Sequence, residues 1–355
     1  MNIKSLKNWL LFLVGIALLL TSCEIKEDEP DITANNLKGM FVVCEGNFGS
    51  ANGDITYYNP DLDQPVKSLY YSVNNVPLGD IVQSFEVIDT LGFLVVNNSQ
   101  KVVVVNMKDF KVTKVINNFS YPRSVVHANN NTVYVSNGNG YTDNYIYSID
   151  LSTLKKSDSL AVATGPEKLI LMDSKVYAAI AGGWKNDGNT VVEIDPASFT
   201  VVNTFQVASV PVDIVADKDH NIWAYCKGMV TYDENWNATY SNMGISKINV
   251  STKEVTTFPL TTMSSSGINN IAASNDGSMI YYLNDGLYAM SVTATSLQAT
   301  KLIDHLFYGV DVDPMSSVII CLDDTNSEAI FYDANGVKQF IFETAIFPNS
   351  VTFSY

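Results

Sequence analysis

The feature that most constrains this chain is a short motif that recurs seven times at a nearly constant step. The motif is usually Pro-x-x-Ile or Pro-x-x-Val, or a degenerate form of it, and it ends in an apolar anchor residue. The anchors are Ile81, Val125, Leu169, Ile214, Ile271, Val310 and Val351. Their steps are 44, 44, 45, 57, 39 and 41 residues. Self-similarity at such a period indicates a solenoid, a propeller or another repeat array.

Each repeat carries further runs with the composition of β-strands. After every anchor but the last, a second run rich in β-branched and aromatic residues follows, as in Val133-Tyr134-Val135. A third run ends in a large apolar residue that Asn, Asp or Ser usually follows, as in Ile149-Asp150, and such polar residues favour a turn. A fourth, more polar run follows, as in residues 201–205. Four strands in about 40–45 residues is the period of a β-propeller blade.

The phase of the repeat predicts how the structure closes. The first repeat begins at its second strand, residues 40–43, and the chain ends on a lone first strand, residues 350–355. That last strand can complete only the first blade, and this closure leaves no open edge. The sequence therefore predicts an all-β, seven-bladed β-propeller with four-stranded blades over residues 38–355, whose first blade is closed by the C-terminal strand. A sandwich or two small barrels would explain neither the regular step nor the divided first repeat.

Residues 1–22 are typical of a lipoprotein signal peptide. Lys4 and Lys7 precede an apolar run of 12 residues from Trp9 to Leu20, which is too short to span a bilayer. The run ends in Leu20-Thr21-Ser22-Cys23, which resembles the bacterial lipobox, so Cys23 is the predicted lipidated first residue of the mature chain. Residues 23–37 are then the lipidated cysteine and an acidic, solvated tether. An ordinary signal peptide followed by a chance cysteine is the alternative.

Composition argues against several classes of function. The chain has 37 acidic and 21 basic residues, and this charge of −16 would repel a phosphate backbone, so no nucleic-acid partner is expected. The chain has only three histidines, so a His-rich metal site is not expected. No H-E-x-x-H, G-x-S-x-G or P-loop motif occurs, and no catalytic residue, catalytic cofactor or metal is predicted. Two carboxylates that folding brings together would nevertheless leave no trace in sequence spacing.

Three cysteines besides Cys23 lie in strongly apolar runs. They are Cys44, Cys226 and Cys321, and no C-x-x-C pair occurs. We expect small buried hydrophobic residues with free thiols and no disulfide.

Insertions gather on one predicted face of the propeller. In a four-stranded blade, the loops after strands two and four lie on the same face. The loops after the second strand run long in four blades, over residues 45–53, 137–144, 181–189 and 227–244. Insertions gathered on one face usually mark a binding face.

The long loops and the turns between blades supply the candidate ligand-binding residues. Aromatic rings mixed with amides suit a bulky ligand that is partly apolar and rich in hydrogen-bonding groups. The candidates in the long loops are Asn47, Phe48, Tyr141, Trp184, Tyr232 and Trp236. The candidates around the central opening are Asp80, Arg123, Lys168, Asp213, Asn270 and Tyr308. The alternatives are local packing for the rings, and local ion pairs for Arg123 and for Lys168, the latter with Glu167 or Asp213.

Several of these motifs resemble known families. The Pro-x-x-Ile/Val motif, the strand Tyr134-Val135-Ser136-Asn137 and the endings Ile149-Asp150 and Ile194-Asp195 resemble YncE-like seven-bladed propellers over nearly the whole mature chain. That resemblance is specific for the fold and weak for function, because propellers host many functions. The segment of residues 24–29 resembles the acidic export signal of Bacteroidetes surface lipoproteins. Together with the opening loop of residues 44–49, it makes the chain similar to members of that class that include the BtuG cobalamin-binding family.

The second resemblance implies a function, a partner and a location. It implies a lipoprotein, lipid-anchored in the outer membrane and exposed on the cell surface. Such a protein binds cobalamin or another corrinoid as a transported ligand and delivers it to a BtuB-type TonB-dependent outer-membrane transporter. Two other functions stay open, namely a surface propeller that binds glycan or protein as an adhesin or scaffold, and a surface lyase or hydrolase.

Overall fold

The computed structural model describes residues 37–61, 64–138, 141, 143–261, 267 and 270–355. The predicted signal peptide, Cys23 and residues 24–36 of the predicted tether lie outside the described residues. Seven antiparallel sheets follow one another along the chain, and the inner strand of each contacts the inner strand of the next. The prediction of an all-β, seven-bladed β-propeller is confirmed.

The strands are numbered in chain order. Blade one contains β1 (Gly39–Cys44) and β2 (Asp54–Tyr58) and is completed by the last strand, β29 (Pro348–Ser354). Blades two to four are formed by β3 (Val82–Ile88), β4 (Leu91–Val96), β5 (Lys101–Asn106) and β6 (Val112–Ile116), then β7 (Pro122–Asn129), β8 (Thr132–Asn137), β9 (Tyr145–Asp150) and β10 (Lys155–Ala161), then β11 (Pro166–Met172), β12 (Lys175–Ile180), β13 (Thr190–Asp195) and β14 (Thr200–Gln206).

The remaining blades follow the same order, with one addition in blade five. Blades five to seven are formed by β15 (Pro211–Ala216), β16 (Asn221–Cys226), β19 (Gly244–Asn249) and β20 (Val255–Pro259), then β21 (Ile271–Ala273), β22 (Met279–Leu283), β23 (Leu287–Ser291) and β24 (Thr300–Ile303), then β25 (Gly309–Val312), β26 (Ile319–Asp323), β27 (Glu328–Tyr332) and β28 (Lys338–Glu343). A separate two-stranded sheet, formed by β17 (Met229–Tyr232) and β18 (Ala238–Ser241), is inserted in blade five.

The C-terminal strand closes the ring, as predicted. β1 pairs antiparallel with β2 on one side and with β29 on the other, and Val42 lies opposite Val351. The Thr352 hydroxyl of β29 donates a hydrogen bond to the Phe85 carbonyl of blade two at 2.6 Å. On the other side, the Asp311 carboxylate of blade seven accepts the Val351 amide at 2.7 Å. The two ends of the chain are therefore joined to both neighbouring blades as well as to each other.

Side chains of the inner strands join other neighbouring blades in the same way. The Ser84 hydroxyl of blade two donates to the Arg123 carbonyl of blade three at 3.1 Å. The Ser124 hydroxyl of blade three accepts the Leu169 amide of blade four at 3.1 Å. Apolar packing between blades is non-directional. Directional bonds of this kind therefore fix how each blade is placed against the next.

The core lies between adjacent blades. Between blades one and two, the fully buried Phe41 ring lies 5.0 Å from Tyr57, 5.4 Å from Phe85 and 5.9 Å from Phe110, measured between ring centroids. Rings at such distances contribute beyond the apolar area that they bury.

The three cysteines behave as predicted. Cys44, Cys226 and Cys321 are free and buried. Burial raises the pKa of Cys44 and of Cys226 to about 12, so neither forms a thiolate near neutral pH.

Blade one departs from the predicted four strands. After β2, Val66 forms an isolated bridge with Tyr57, and the chain then forms a six-residue helix, α1 (Leu69–Asn74), although no helix was predicted. The Asp54 carboxylate accepts the Tyr70 amide at 2.8 Å, which satisfies a free amide at the start of α1. The segment is too short to show a helical period, and a tertiary contact fixes it.

One anchor was assigned wrongly. Strand pairing places Phe85, and not Ile81, at the position of Ile214, because Phe85 lies opposite Leu94 just as Ile214 lies opposite Ala224. Ile81 instead lies before β3 with a left-handed φ of 57°. The Pro77 motif therefore belongs to the loop that precedes the blade.

Ring closure by β29 gives the first prediction. Deleting residues 348–355 removes the inner strand of blade one and exposes the backbone edge of β1, so we expect loss of the cooperative thermal transition and aggregation. Circular dichroism melting and size-exclusion chromatography measure both. Deletion of Tyr355 alone, which is 54% exposed, is the control and should melt like the full chain. A cooperative monomer without β29 would contradict the closure.

Candidate functional site

Four long loops form one face of the propeller, here called the long-loop face. They connect β1 to β2, β8 to β9, β12 to β13 and β16 to β19, as predicted. The blade-five loop contains the β17–β18 hairpin, and the blade-four loop contains a short 3-10 helix at Gly183–Lys185. The inner strands also begin on this face, because all of them except β3, which follows α1, come after a loop from a fourth strand.

Beneath this face, polar side chains form a belt at the start of the inner strands. The belt is defined by Tyr308, Glu45, Gln83, Arg123 and Glu167. The Glu45 carboxylate accepts the Tyr308 hydroxyl at 3.1 Å and the Gln83 amide at 3.3 Å. Arg123 donates to the Gln83 side-chain oxygen at 2.6 Å and to Glu167 at 2.5 Å. The belt therefore runs through blades seven, one, two, three and four.

Most of the charged groups in the belt are paired with other groups of the protein. Arg123 and Glu167 have side chains only 16% and 14% exposed, so the ion-pair alternative for Arg123 is the one that the structure contains. Burial raises the pKa of Glu45, and hydrogen bonds from Asn349 and Tyr308 oppose that shift. Arg123 thus has two side-chain partners within the belt, Glu167 and Gln83, and Glu45 has three, Tyr308, Gln83 and Asn349.

A small cavity lies beside the belt. It has a volume of about 40 Å³ and is lined by Gln83, Arg123, Glu167 and Lys168, among others. At roughly 10–15 Å³ for each water molecule, such a space holds about three waters. A bulky ligand does not fit in it and would have to lie on the open face above.

Lys168, which lines this cavity, interacts electrostatically with two carboxylates, Glu86 and Asp213. Burial raises the pKa of Glu86 to about 7, and the positive charge of Lys168 opposes that shift. Burial likewise raises the pKa of Asp213, and Lys168 again opposes it. The charge of Lys168 therefore already has electrostatic partners within the chain.

Asp213 and Asn270 form a joint between blades five and six. Asp213 is fully buried, and its carboxylate accepts the Asn270 amide at 2.7 Å and the Ile271 amide at 3.1 Å. Nearby, the Lys227 ammonium donates to the Gly267 carbonyl, and burial lowers the pKa of Lys227 to about 8. These two predicted site residues lie inside the protein and not at its surface.

Asp80 supports the first long loop. Its carboxylate accepts the Gly49 amide at 2.9 Å and an amide hydrogen of Asn98. The Asn47 amide donates to the Asn52 side chain at 2.8 Å, which tightens the same loop. Phe48 is held between these contacts and is 77% exposed. Asp80 is therefore a positioning residue for the loop that displays Phe48.

An aromatic triad joins the loops of blades three and four. It consists of Tyr121, Tyr141 and Trp184, and the Trp184 ring lies 6.0 Å from Tyr121 and 5.8 Å from Tyr141 in nearly perpendicular arrangements. Tyr141 is 62% and Trp184 60% exposed. Sequence reasoning missed Tyr121, although it directly precedes the Pro122 motif. The Arg123 guanidinium lies 5.6 Å from the Tyr121 ring, so the triad adjoins the belt.

Tyr232 and Trp236 form a separate pair on the β17–β18 hairpin. Their ring centroids lie 6.0 Å apart, and the two side chains are 59% and 82% exposed. The predicted site residues thus fall into five groups, namely the belt with Lys168, the Asp213–Asn270 joint, the triad, the hairpin pair, and the first long loop with Asn47, Phe48 and Asp80.

The described part of the chain contains no group of three or more His, Cys, Asp or Glu residues that could hold a metal ion. In those same ranges no helix is long and apolar enough to cross a membrane. His220 pairs with Asp173 and His305 with Asp323, so these two histidines do not converge.

The fold places the protein among the seven-bladed β-propellers. The chain belongs to the family described as a domain of unknown function, DUF5074, which matches residues 38–345. None of the curated proteins matches the sequence.

Solved structures of other propellers are similar in fold. A quinonprotein alcohol dehydrogenase-like protein from Bacteroides thetaiotaomicron has a TM-score of 0.64 at 16% identity, covering 90% of this chain and 79% of that one. A putative 6-phosphogluconolactonase from Bacteroides fragilis has a TM-score of 0.62 at 10% identity, covering 92% and 100%. A functionally unknown protein from Desulfotomaculum acetoxidans has a TM-score of 0.63 at 11% identity, covering 89% and 98%. Identities this low establish the fold alone.

The Glu86–Lys168 pair gives a pH-dependent prediction. The pKa of Glu86 is raised from 4.5 to about 7 in the folded protein, so the folded state binds the Glu86 proton more tightly than the unfolded state does. The stability that this proton binding contributes is present below pH 4.5 and is lost as the pH rises through about 7. The variant Glu86→Gln does not titrate there. Its melting temperature should therefore rise relative to wild type between pH 4.5 and pH 8, as thermal unfolding in a pH series would measure.

Two variants test the cause. Lys168→Met should shift the pH range in which this stability is lost to higher pH, because Lys168 lowers the pKa of Glu86. Glu343→Gln, at a side chain that is 69% exposed, should not reproduce the change. A pH-independent difference between Glu86→Gln and wild type would show that Glu86 titrates normally.

Proposed function

We propose that this protein is a surface lipoprotein that captures a bulky nutrient, cobalamin or another corrinoid, on its long-loop face. The observation that carries the proposal is the aromatic triad of Tyr121, Tyr141 and Trp184 beside the Arg123 belt. Exposed rings at fixed angles offer apolar contact area at a small cost in side-chain entropy. A corrinoid combines an apolar macrocycle with amide groups at its edge, which suits such a surface.

On this proposal the ligand lies on the long loops and not in the cavity at the belt. The cavity at the belt holds only about 40 Å³, whereas pockets for drug-sized molecules have roughly 300–1,000 Å³. The long loops stand above it and carry Phe48, Tyr141 and Trp184 with large exposed areas. A ligand that lies across these loops can use several of them at once, which a small metabolite cannot do.

The state of the charged groups favours binding over catalysis. Glu45 is held by Tyr308 and Gln83, and Glu167 is paired with Arg123. Asp213 accepts two backbone amides of blade six. A general acid or base must be able to reach a substrate proton. These carboxylates instead serve the joints between blades, so we propose a non-enzymatic binder.

The proposed location rests on the N-terminal sequence, and the proposed partner rests on the resemblance to the BtuG family. The lipobox ending in Cys23 would attach the protein to a membrane through its lipid, and the acidic tether would direct it to the outer surface. A captured corrinoid is too large to diffuse through the outer membrane. The proposed partner is therefore a TonB-dependent outer-membrane transporter of the BtuB type, to which the ligand is delivered.

The proposal predicts a specific loss of affinity. Purified residues 24–355 should bind cyanocobalamin with a sub-micromolar Kd in isothermal titration. Trp184→Ala should weaken that binding at least tenfold, which corresponds to about 1.4 kcal/mol, because it removes the central ring of the triad. Met315→Ala is the matched control, since Met315 is 71% exposed in a turn after a first strand, on the other face.

Two outcomes count against the proposal in different ways. Tight binding that Trp184→Ala leaves unchanged would place the ligand elsewhere on the protein. No heat and no tryptophan quenching at about 100 μM cyanocobalamin, where a complex of roughly −5.5 kcal/mol is half saturated, would exclude a corrinoid.

A further inference from the structure

The β17–β18 hairpin is an exposed ribbon with one aromatic face. None of its eight strand residues is buried. Val230 lies opposite Tyr240 and Tyr232 lies opposite Ala238, so these four side chains share one face of the ribbon. Two-stranded hairpins are only marginally stable by themselves. Folding of the hairpin alone therefore does not explain why its aromatic face is exposed to water.

The tip of the hairpin is built to present Trp236. The Asp233 carboxylate accepts the backbone amides of Asn235 at 2.8 Å and Asn237 at 2.9 Å, and the Asn237 side chain at 2.8 Å. Within this turn Trp236 has a left-handed φ of 64°, which is unfavourable for a bulky residue. Its side chain is nonetheless 82% exposed. The turn therefore holds the Trp236 ring at the exposed tip of the hairpin.

The base of the hairpin is fixed to the propeller. The Gly228 amide donates to the Ser209 carbonyl at 2.8 Å, and the Ser209 amide donates to the Asn242 carbonyl at 3.0 Å. The Asn242 side chain also donates to the Ser209 hydroxyl at 2.9 Å. Both ends of the ribbon are therefore held by Ser209, which lies in the connection between blades four and five.

We propose that Tyr232 and Trp236 form a binding platform for neutral carbohydrate. Their rings are 6.0 Å apart and inclined at 53°, so they form an open, angled surface. The C–H faces of a sugar pack on the electron-rich faces of aromatic rings, and its hydroxyls need nearby carboxylate and amide groups. The exposed side chains of Glu234 and Asn235 lie in the same turn. The proposal goes beyond corrinoid capture and does not depend on it.

The charge of the hairpin selects the class of ligand. Residues 229–241 contain Asp233 and Glu234 but no Lys or Arg, and the chain carries a charge of −16. An anionic glycan would be repelled. A protein partner is also disfavoured, because interface cores are depleted in Asp and Glu, whereas the rings here are bordered by acids and amides. An open platform gives weak single contacts that repeated sugar units would strengthen by avidity.

Affinity electrophoresis in native gels tests the platform. Purified residues 24–355 are run through gels that contain starch, laminarin, yeast mannan or xyloglucan as neutral polysaccharides, and alginate as an anionic one. We expect at least one neutral polysaccharide to retard the protein and alginate not to. Trp236→Ala and Tyr232→Ala should each weaken the retardation at least tenfold, while Trp236→Phe should retain part of it.

The controls separate this inference from loss of fold and from the corrinoid site. Phe48→Ala removes another exposed ring, 77% exposed, and should leave retardation unchanged. The hairpin variants should keep the wild-type melting temperature. Retardation by none of the neutral polysaccharides, or retardation that Trp236→Ala does not change, would overturn the platform. Cyanocobalamin titration of the same proteins reports on the corrinoid proposal separately.

Discussion

Closure of the ring by the C-terminal strand is the constraint on which the rest of the structure depends. β1 pairs on one side with β2, its neighbour in sequence, and on the other with β29, the last strand of the chain. This pairing brings blade seven and blade two against opposite sides of blade one. The inner strands then begin on the same face; six of them follow the fourth strand of the preceding blade, and β3 follows the segment that contains α1. The belt and the long-loop face both follow from that arrangement.

The belt shows how the ring uses residues that are remote in sequence. Tyr308 and Glu45 are 263 positions apart, and their contact joins blades seven and one. Arg123 and Glu167 are 44 positions apart, about one repeat, and occupy equivalent places in adjacent blades. Buried polar groups are costly unless they are paired. Because these groups are paired with one another, the surface left for recognition is the set of loops above them.

Much of the fold could be predicted from the sequence, since each repeat carries its own local signal. The apolar runs, the polar turn residues and the divided first repeat predicted the blades, the closure and the buried thiols. The prediction failed where the same local sequence pattern occurs in a different structure. Pro77 to Ile81 resembles the repeat motif but forms a loop, and Phe85 is the anchor. Residues 69–74 gave no helical signal because the Asp54 carboxylate, a tertiary contact, fixes the helix.

The sequence by itself determined the number of blades, the face that carries the insertions and the presence of aromatic residues on it. These follow from periodicity and loop length, which are local properties. Only the tertiary structure decided which candidates remain at the surface. In the folded chain, Arg123 forms an ion pair with Glu167, and Asp213 is buried in a joint between blades. The Tyr121 ring lies against Trp184. The reason is physical: the state of a side chain depends on the neighbours that ring closure supplies, and spacing along the chain does not encode them.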